Sequence, residues 1–201
     1  MQHAATCNGR LILWGLGLLF LPFAPVFAQE TSRGFLSLPG VEGESTDEFH
    51  KDWIDVLSVD HAIAKLVEDF ATTGRSRHAP ILVRKRIDKS SPRLMQACAN
   101  GTTLSEAVID LVKAESGLRF LRIRLTDVLV SSYSVGVAKE DALGLPREEI
   151  TLVYHKIQVT YFRYSSGSND PVEEVEMQWD AVNDVEDTGK TATEEETLRL
   201  E

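Results

Sequence analysis

The stretch LTDVLVSSYSVG, residues 125–136, decides the fold. Apolar residues occupy every second position before Asp127, at Leu121, Ile123 and Leu125. This period of two predicts a β-strand with one buried face. After Asp127 the apolar positions change to Val128 and Val130, with Leu129 between them. The strand therefore changes its buried face at Asp127.

A strand cannot move its apolar side chains to the other face without a cause. Two causes fit the sequence: a bulge that inserts one residue near Asp127, or burial of both faces from that point. The segment EITLVYHKIQVTYFRYS, residues 149–165, makes the same change at His155-Lys156. A long strand that changes face half-way is typical of a corner in a small barrel or orthogonal sandwich. We therefore predict that the two segments pair in one curved sheet.

Shorter segments complete a mainly β chain. Alternation or β-branched content predicts strands at residues 35–38, 52–59, 81–87 and 175–179. Between them, SSPRLMQACANG predicts a helix over about 91–100, with Ser91 as cap, Pro92 at the first helical position and Gly101 at the end. Residues 75–80 are predicted to form a loop.

Two segments are ambiguous between helix and strand. Residues 60–73 carry apolar side chains at helical spacing, and Gly74 is placed to end a helix. Residues 103–114 begin with the capping-box pair Thr103 and Glu106 and continue with helical spacing, but their β-branched residues also suit a strand. The pattern alone favours a helix for residues 60–73 and leaves both structures open for residues 103–114.

Few residues form a pattern that catalysis would need. After residue 28 the chain contains no glycine-rich phosphate loop and no G-x-S-x-G, H-E-x-x-H or C-x-x-C motif. Asp127 near Ser131 or Ser132 leaves a hydrolase arrangement open, but a polar group that pairs with a backbone N–H at a bulge is favoured. Cys98 is interpreted as a buried structural thiol on the predicted helix.

The histidines give no metal-binding pattern. Those beyond residue 28 are His50, His61, His78 and His155. No two of them are three or four residues apart, so a helical metal pair is not predicted. We interpret each as a surface or turn histidine. The sequence therefore predicts no catalytic residue, no cofactor and no metal ligand.

The charge of the chain disfavours nucleic acid and anionic lipid as partners. Its formal net charge is -10, with 26% charged and 43% hydrophobic residues, a composition typical of a globular protein. One basic cluster, RKRIDK at residues 84–89, stands out. It lacks the basic neighbours and stacking aromatics of a nucleic-acid site, so we interpret it as a solvated strand face.

Residues 1–28 have the layout of a secretory signal peptide. A long apolar run follows Arg10, and small residues occupy the last and third-last positions before a cleavage site. Two prolines interrupt the run, which makes a membrane anchor the less favoured alternative. We expect cleavage between Ala28 and Gln29, a secreted or periplasmic product, and no stable membrane insertion afterwards.

Four stretches together resemble a known family. They are GESTDEFHKDWIDVLSV (43–59), KRIDKSSPRLMQACANG (85–101), RIRLTDVLVSSYSVG (122–136) and EEITLVYHKIQVTY (148–161). Their order and spacing are similar to those of the Hcp family, the haemolysin-coregulated proteins that form the inner tube of type VI secretion systems. The resemblance covers about residues 34–182.

The resemblance implies a compact β-barrel of two packed antiparallel sheets with one short α-helix at about 91–100. It implies extended chain over 53–64, then a loop to about residue 79, and a strand near 106–113. The expected organisation is a signal peptide at 1–28, an Hcp-like barrel at 29–182 and an acidic disordered tail at 183–201.

The resemblance also implies a structural function without enzymatic activity. Subunits would form homo-hexameric rings that stack into a tube, with the loops at 40–48 and 135–148 between subunits. Effector proteins would travel in the ring lumen, and spike and sheath proteins would be further partners. The alternative is an exported periplasmic or extracellular binding protein or effector that no longer forms the tube, since tube subunits load from the cytoplasm without a signal peptide.

Overall fold

A computed structural model describes residues 32–68, 71–137 and 146–187 of the chain. Within these ranges the chain forms one α-helix, α1 (Ser91–Asn100), and no helix long and apolar enough to cross a membrane. The strands are β1 (Ser32–Ser37), β2 (Ile54–Asp60), β3 (Ile63–Glu68), β4 (Ala71–His78), β5 (Ile81–Arg86), β6 (Thr103–Lys113), β7 (Arg119–Gly136), β8 (Arg147–Val153), β9 (Lys156–Tyr164), β10 (Pro171–Asp180) and β11 (Val185–Glu186). The mainly β prediction is confirmed.

Nine of the strands form one antiparallel sheet in the order β11-β10-β9-β7-β6-β1-β2-β5-β8. Strand β8 also pairs with β7, which closes β7, β6, β1, β2, β5 and β8 into a six-stranded barrel. Strands β9 and β10 extend from this barrel at β7, and we call them the wing. Strands β3 and β4 form a separate hairpin. The predicted barrel with one short helix is confirmed, and its strands belong to one continuous sheet.

Strand β7 exchanges one neighbour for another at Asp127. Its residues 121–126 pair with β9, and its residues 129–136 pair with β8. Asp127 has a φ of 53°, in the left-handed region that aspartate enters more readily than most residues. This single residue allows both Leu125 and Val128 to face the core, and neither is exposed.

The bulge predicted near Asp127 is displaced along the strand. The register between β6 and β7 is the same before and after Asp127, so no residue is inserted there. The register with β8 shifts between Val130 and Ser132, which places the bulge at Ser131. The left-handed backbone of Asp127, rather than an extra residue, therefore causes the change of face.

The long segment at 149–165 is divided into two strands next to the position where the sequence predicted its change of face. Strands β8 and β9 are separated by Tyr154 and His155, which lie opposite the corner of β7. The backbone N–H of His155 donates to the carbonyl oxygen of Thr126 at 3.0 Å, and His155 accepts from the N–H of Ala181 at 2.9 Å. The prediction that these two segments pair in one curved sheet is confirmed.

The core fills the barrel, because each barrel strand directs apolar residues inward. The largest apolar side chains that are fully buried within it are Leu36, Ile54, Ile81, Leu94, Ile109, Leu125, Ile150, Leu152 and Ile157. Burial of one such side chain contributes about 1.5–3 kcal/mol relative to leaving it in water. Leu94 comes from α1, which packs on β7.

Helix α1 has the predicted bounds but a different start. Gly101 has a φ of 61° and ends the helix, with its N–H donated to the carbonyl of Cys98 at 3.3 Å. Ser90, not Ser91, is the N-cap residue. The hydroxyl of Ser91 accepts from the N–H of Asp88 at 3.0 Å instead, so the predicted capping role of Ser91 is wrong.

Both ambiguous segments are strands. Strand β6 confirms the strand expected near 106–113. The hairpin of β3 and β4 replaces the loop that we expected up to residue 79, and β4 includes part of the predicted loop at 75–80. Contacts distant in sequence hold this hairpin: the N–H of Ser76 donates to the Asp184 carboxylate at 3.0 Å, and Arg75 donates to the carbonyl of Val182.

The structure describes the first residues of the predicted tail. Residues 183–187, placed by the sequence in a disordered tail, are ordered, and Val185 and Glu186 pair with the end of β10. Residues 188–201 lie outside the described residues. The predicted signal peptide at 1–28 also lies outside them.

Candidate assembly surface

The corner at Asp127 does not form the serine arrangement that the sequence left open. The hydroxyl of Ser131 donates to the carbonyl of Thr151 at 3.2 Å, and the hydroxyl of Ser132 donates to the hydroxyl of Thr151 at 2.7 Å. The exposed carboxylate of Asp127 instead lies 3.5 Å from Nδ1 of His155. These residues join β7 to β8 and β9 at the barrel corner.

His50 begins a turn, in which the N–H of Trp53 donates to its carbonyl oxygen at 3.1 Å, so its interpretation as a turn histidine holds, but its side chain is buried rather than on the surface. Its Nδ1 lies 2.8 Å from Asp47 Oδ1, its Nε2 lies 3.1 Å from Asp110 Oδ2, and its ring stacks on Phe35 at 4.3 Å. Carboxylates only accept hydrogen bonds, so each of these contacts needs a proton on the ring nitrogen that faces it. Burial alone would raise the pKa of Asp110, but hydrogen bonds from Arg122 lower it. The network attaches the loop before β2 to the outside of the sheet.

A second histidine cluster lies at the base of the β3–β4 hairpin. Nε2 of His61 lies 2.8 Å from the Tyr154 hydroxyl, and Nδ1 of His78 lies 3.3 Å from the same hydroxyl. Burial lowers the pKa of both histidines and raises the pKa of Tyr154 to about 12. This cluster connects the hairpin to the segment between β8 and β9, and His78 also stacks on Trp179 of β10.

The basic run at 84–89 is neutralised by acids. Arg84 pairs with Asp60 and Glu149 on the outside of the barrel. Lys85 is fully buried, which corrects its placement on a solvated face. Its Nζ lies 2.6 Å from Glu148 Oε2 inside the barrel. Lys85 follows the inward residues Ile81 and Val83 at a spacing of two, and this alternation was the signal for its burial.

Cys98 is half-buried on α1, and the part of the chain that the structure describes contains no second cysteine that could pair with it. Among the described residues, no group of three or more His, Cys, Asp or Glu side chains is arranged to hold a metal ion. The predicted interaction loop at 40–48 is anchored by an ion pair between Arg33 and Asp47, and Phe49 beside it is 77% exposed. Of the second predicted loop, residues 138–145 lie outside the described chain.

The wing carries the barrel's apolar rows beyond the barrel. Three cross-strand rows run from β6 through β7 and β9 to β10, and each contains only apolar residues. They are Ala107-Leu125-Ile157-Trp179, Ile109-Ile123-Val159-Met177 and Leu111-Leu121-Tyr161-Val175. Because residues in one row share a face of the sheet, the apolar face of the wing is continuous with the inside of the barrel.

Burial along these rows falls from the barrel to the wing. Ile109 is fully buried and Ile123 nearly so, but Met177 in the same row is 38% exposed. In the outermost row Tyr161 is 47% exposed and Val175 is 56% exposed. A sheet face of this composition is normally covered, and contiguous exposed apolar surface is typical of a protein–protein contact.

The opposite face of the wing carries polar contacts and one buried aromatic ring. Gln158 donates to Glu176 at 2.7 Å, and the guanidinium of Arg119 lies over the ring of Phe162, which is 6% exposed. The ion pair of Arg163 with Glu173, at 2.6 Å, lies on the apolar face and ends it beyond Tyr161 and Val175. Hydrogen bonds from Gln178 and Gln158 lower the pKa of Glu176. The two faces therefore differ in character, and the uncovered apolar face is the candidate assembly surface.

Comparison with known proteins places this architecture in a family. Residues 35–161 match the family model described as type VI secretion system effector, Hcp. The protein hcp1 of Pseudomonas aeruginosa is 34% identical over 134 residues, which cover 63% of this chain and 81% of that protein.

Solved structures show the same fold. A type VI secretion system effector from Yersinia pestis superposes with a TM-score of 0.60 and 28% identity, covering 73% of this chain and 98% of that one. A structure of a type six secretion system protein gives a TM-score of 0.70 at 22% identity, covering 78% of this chain and 99% of that one. The wing from β10 onward lies beyond the residues that the family model matches.

Proposed function

The chain belongs to the Hcp family of type VI secretion proteins, and from this membership we propose that copies of it associate into hexameric rings that stack into a tube. Hcp proteins are structural and secreted components of that system.

The observation that carries the proposal is the uncovered apolar face of the wing. Tyr161, Val175 and Met177 continue the core rows of the barrel into solvent. Burial of apolar surface contributes about 25 cal/mol per Å², so a second copy that covers this face would gain free energy. In a ring each copy contributes two different surfaces, one to each neighbour.

The second surface is proposed to lie on the far side of the barrel. In the closed strand order β2 is three strands from β7 in either direction, so β2 lies opposite the strand that bears the wing. Leu57 on β2 and Ile87 after β5 are 43% and 41% exposed and line one shallow pocket. A head-to-tail contact between this pocket and the wing of the next copy would continue around a ring.

Sedimentation of the chain that begins at Gln29 tests this proposal. We expect a species of six times the chain mass, with a proportion that increases with protein concentration. A strictly monomeric chain at high concentration would contradict the ring. In the ring, effector proteins are proposed to occupy the lumen, and spike and sheath proteins are proposed to bind the stacked tube.

A second candidate function rests on residues 1–28. If this segment directs export, the chain is a periplasmic or extracellular relative that retains the barrel but does not form the tube. Fusion of residues 1–33 to a reporter that is active only after export separates the two candidates. Export with cleavage between Ala28 and Gln29 favours the exported protein, and retention in the cytoplasm favours the tube subunit.

A further inference from the structure

The loop between β1 and β2 holds an exposed aromatic side chain on a fixed backbone. Phe49 is 77% exposed, more than any other large apolar side chain in the described part of the chain. Its N–H donates to Asp47 Oδ1 at 3.1 Å, and the next residue, His50, is buried within hydrogen-bond distance of Asp47 and Asp110. An exposed aromatic ring on a fixed backbone is typical of an anchor in a protein–protein contact, since little conformational entropy is lost on binding.

The rest of this loop, residues 41–53, is closed by its own hydrogen bonds, and we call it the Phe49 loop. The N–H of Gly43 donates to the carbonyl oxygen of Asp52 at 2.8 Å, and the N–H of Asp52 donates to that of Ser45 at 2.9 Å. A Cβ at Gly43 would overlap the carbonyl oxygen of Trp53, so the two sides of the loop approach closely only with glycine there. The position of Phe49 is therefore set before a partner binds.

Acidic side chains surround Phe49. Residues 42–52 contain one lysine, Lys51, and five acids, at positions 42, 44, 47, 48 and 52. Arg33 and Lys89 pair with two of these acids from outside the loop. Glu48, directly before Phe49, is exposed. A surface that accepts Phe49 is therefore expected to combine apolar walls with positive charge.

A surface of this kind lies at the base of the β3–β4 hairpin. It is a cleft of about 390 Å³ whose lining includes Arg77, Pro80, Val153, Tyr154 and Val182, and we call it the end cleft. Val153 is 40% exposed and Val182 is 54% exposed, so its walls present apolar surface to solvent. Its volume lies within the range of pockets that hold small molecules, which is large enough for one aromatic side chain.

Basic side chains of the hairpin border the end cleft. Arg75 donates to the carbonyl oxygen of Val182, and the exposed Arg77 lines the cleft itself. Lys65, on the paired strand β3, is exposed as well. The carboxylate of Asp184, which the hairpin binds, offsets one of these three charges. The end cleft therefore has the charge that complements the Phe49 loop.

The apolar face of the wing is less suited to the Phe49 loop. That face ends at the ion pair of Arg163 with Glu173, and Glu174 and Glu176 occupy further positions of the same strand, β10. An acidic loop would approach three glutamates there, and like charges across a contact disfavour it. The charges of the hairpin, by contrast, attract the loop to the end cleft.

The Phe49 loop and the end cleft belong to opposite ends of the barrel. Neighbouring strands of the closed barrel are antiparallel, so its successive connections alternate between the two ends. The loop joins β1 to β2, whereas the cleft lies where β2 leads through the hairpin to β5 and where β8 ends. The two surfaces of one chain are therefore apart, but the loop of one copy can meet the cleft of another.

We propose that the ring of Phe49 inserts into the end cleft of a second copy of this chain, with Glu48 facing Arg77. The contact joins two different surfaces, so it repeats from copy to copy in a row. Its place in a tube, where it would join one ring to the next, rests on the proposed ring assembly. The pairing of loop and cleft itself needs only two copies.

A photoreactive residue at position 49 tests which surface Phe49 meets. The full chain is prepared with p-benzoylphenylalanine in place of Phe49 and irradiated at high protein concentration, and mass spectrometry identifies the linked peptides. We expect links between copies to Pro80, Val153 or Val182. Links between copies at other surfaces only, or none, would overturn the contact.

Charge variants of the same photoreactive chain test the proposed pairing of Glu48 with Arg77. Arg77→Glu places a like charge opposite Glu48, and we expect the yield of links to the end cleft to fall about tenfold. The double variant Glu48→Arg/Arg77→Glu should recover most of the yield. Arg124→Glu changes an exposed arginine on the outside of β7 and should leave the yield unchanged. Equal yields from Arg77→Glu and Arg124→Glu, or no recovery in the double variant, would overturn the pairing.

The variant Val175→Glu separates this contact from the ring. It changes the wing but neither the Phe49 loop nor the end cleft, so links to the cleft should persist where rings are lost. Loss of both together would overturn a pairing that needs only two copies. Rings without links to the cleft would overturn the contact alone. Links to the cleft in a chain that forms no rings would support the contact and contradict the ring.

Discussion

Lys85 and Glu148 form an ion pair inside the barrel, with 2.6 Å between Nζ and Oε2 and neither side chain exposed to solvent. They face each other across β5 and β8, the strands that complete barrel closure. Lys85 Nζ also lies 2.8 Å from Asp88, and the Tyr133 hydroxyl donates to Glu148. Burial and the neighbouring Glu148 raise the pKa of Tyr133, which keeps its hydroxyl a donor.

Removal of one partner of this pair should strongly destabilise the barrel. Glu148→Ala leaves a buried ammonium without its main partner, and we expect the free energy of unfolding to fall by about 3–5 kcal/mol. Urea denaturation measures this loss. The double variant Lys85→Met/Glu148→Leu removes both charges and should recover most of it. A double variant as unstable as Glu148→Ala would show that the charges themselves are required.

The left-handed backbone at Asp127 makes a second prediction. Asp127→Gly should change the free energy of unfolding little, because glycine adopts a positive φ without strain. Asp127→Val should be less stable than the glycine variant by about 1–2 kcal/mol, since a β-branched side chain is unfavourable there. Thermal unfolding of the two variants compares them directly. Equal stability would mean that the change of face does not depend on the backbone of this residue.

The hairpin histidines predict a loss of stability in mild acid. Burial lowers the pKa of His61 and His78 below the ordinary value of 6.5. The unfolded chain therefore binds protons first as the pH falls through 6.5, and stability decreases until the folded-state pKa values are reached. The double variant His61→Gln/His78→Gln should show a smaller decrease over this range in urea denaturation.

The acidic group of Asp110 affects stability over a different pH range from the histidines and therefore serves as a control. Hydrogen bonds from Arg122 outweigh burial and lower the pKa of Asp110, so its stabilisation is lost only as the pH falls below 3.8. Asp110 should therefore contribute little to the change between neutral pH and the histidine range. An unchanged pH dependence in the histidine variant would contradict the assignment to His61 and His78.

The apolar face of the wing predicts a selective effect on association. Val175→Glu places a charge in the proposed interface, and we expect the concentration for half-assembly to rise about tenfold or more. Ser165→Glu, in the turn between β9 and β10, adds the same charge outside that face and should assemble normally. Light scattering compares the two. Because Val175 is exposed, the melting temperature of the monomer should stay within about 2 °C of the unchanged chain.

The sequence predicted the parts of the fold in which local pattern and packing agree. The alternation in β7, the change of face at Asp127 and the end of α1 at Gly101 all follow from neighbouring residues. The alternation of inward residues, continued beyond Val83, also indicated that Lys85 is buried. This burial was missed because a charged residue in a basic run is usually exposed, and Glu148, its partner, is distant in the sequence.

Strand β6 explains why its apolar residues have the spacing of a helix in the sequence. Its partly or fully buried residues Leu104 and Ala107 are three apart because the face changes opposite Asp127. Ile109 and Val112 are three apart because the register shifts after Leu111. Two irregularities in one strand therefore imitate a helical period. The candidate assembly surface was likewise hidden, since the pattern predicts the apolar face of β10 but not that it lies beyond the closed barrel.

Electron microscopy of the purified chain that begins at Gln29 distinguishes rings from single barrels. We expect six-fold rings, together with their loss in Val175→Glu and their retention in Ser165→Glu. Single barrels without rings, even at high protein concentration, would contradict the proposed ring and would identify the chain as a member of the family that does not form the tube.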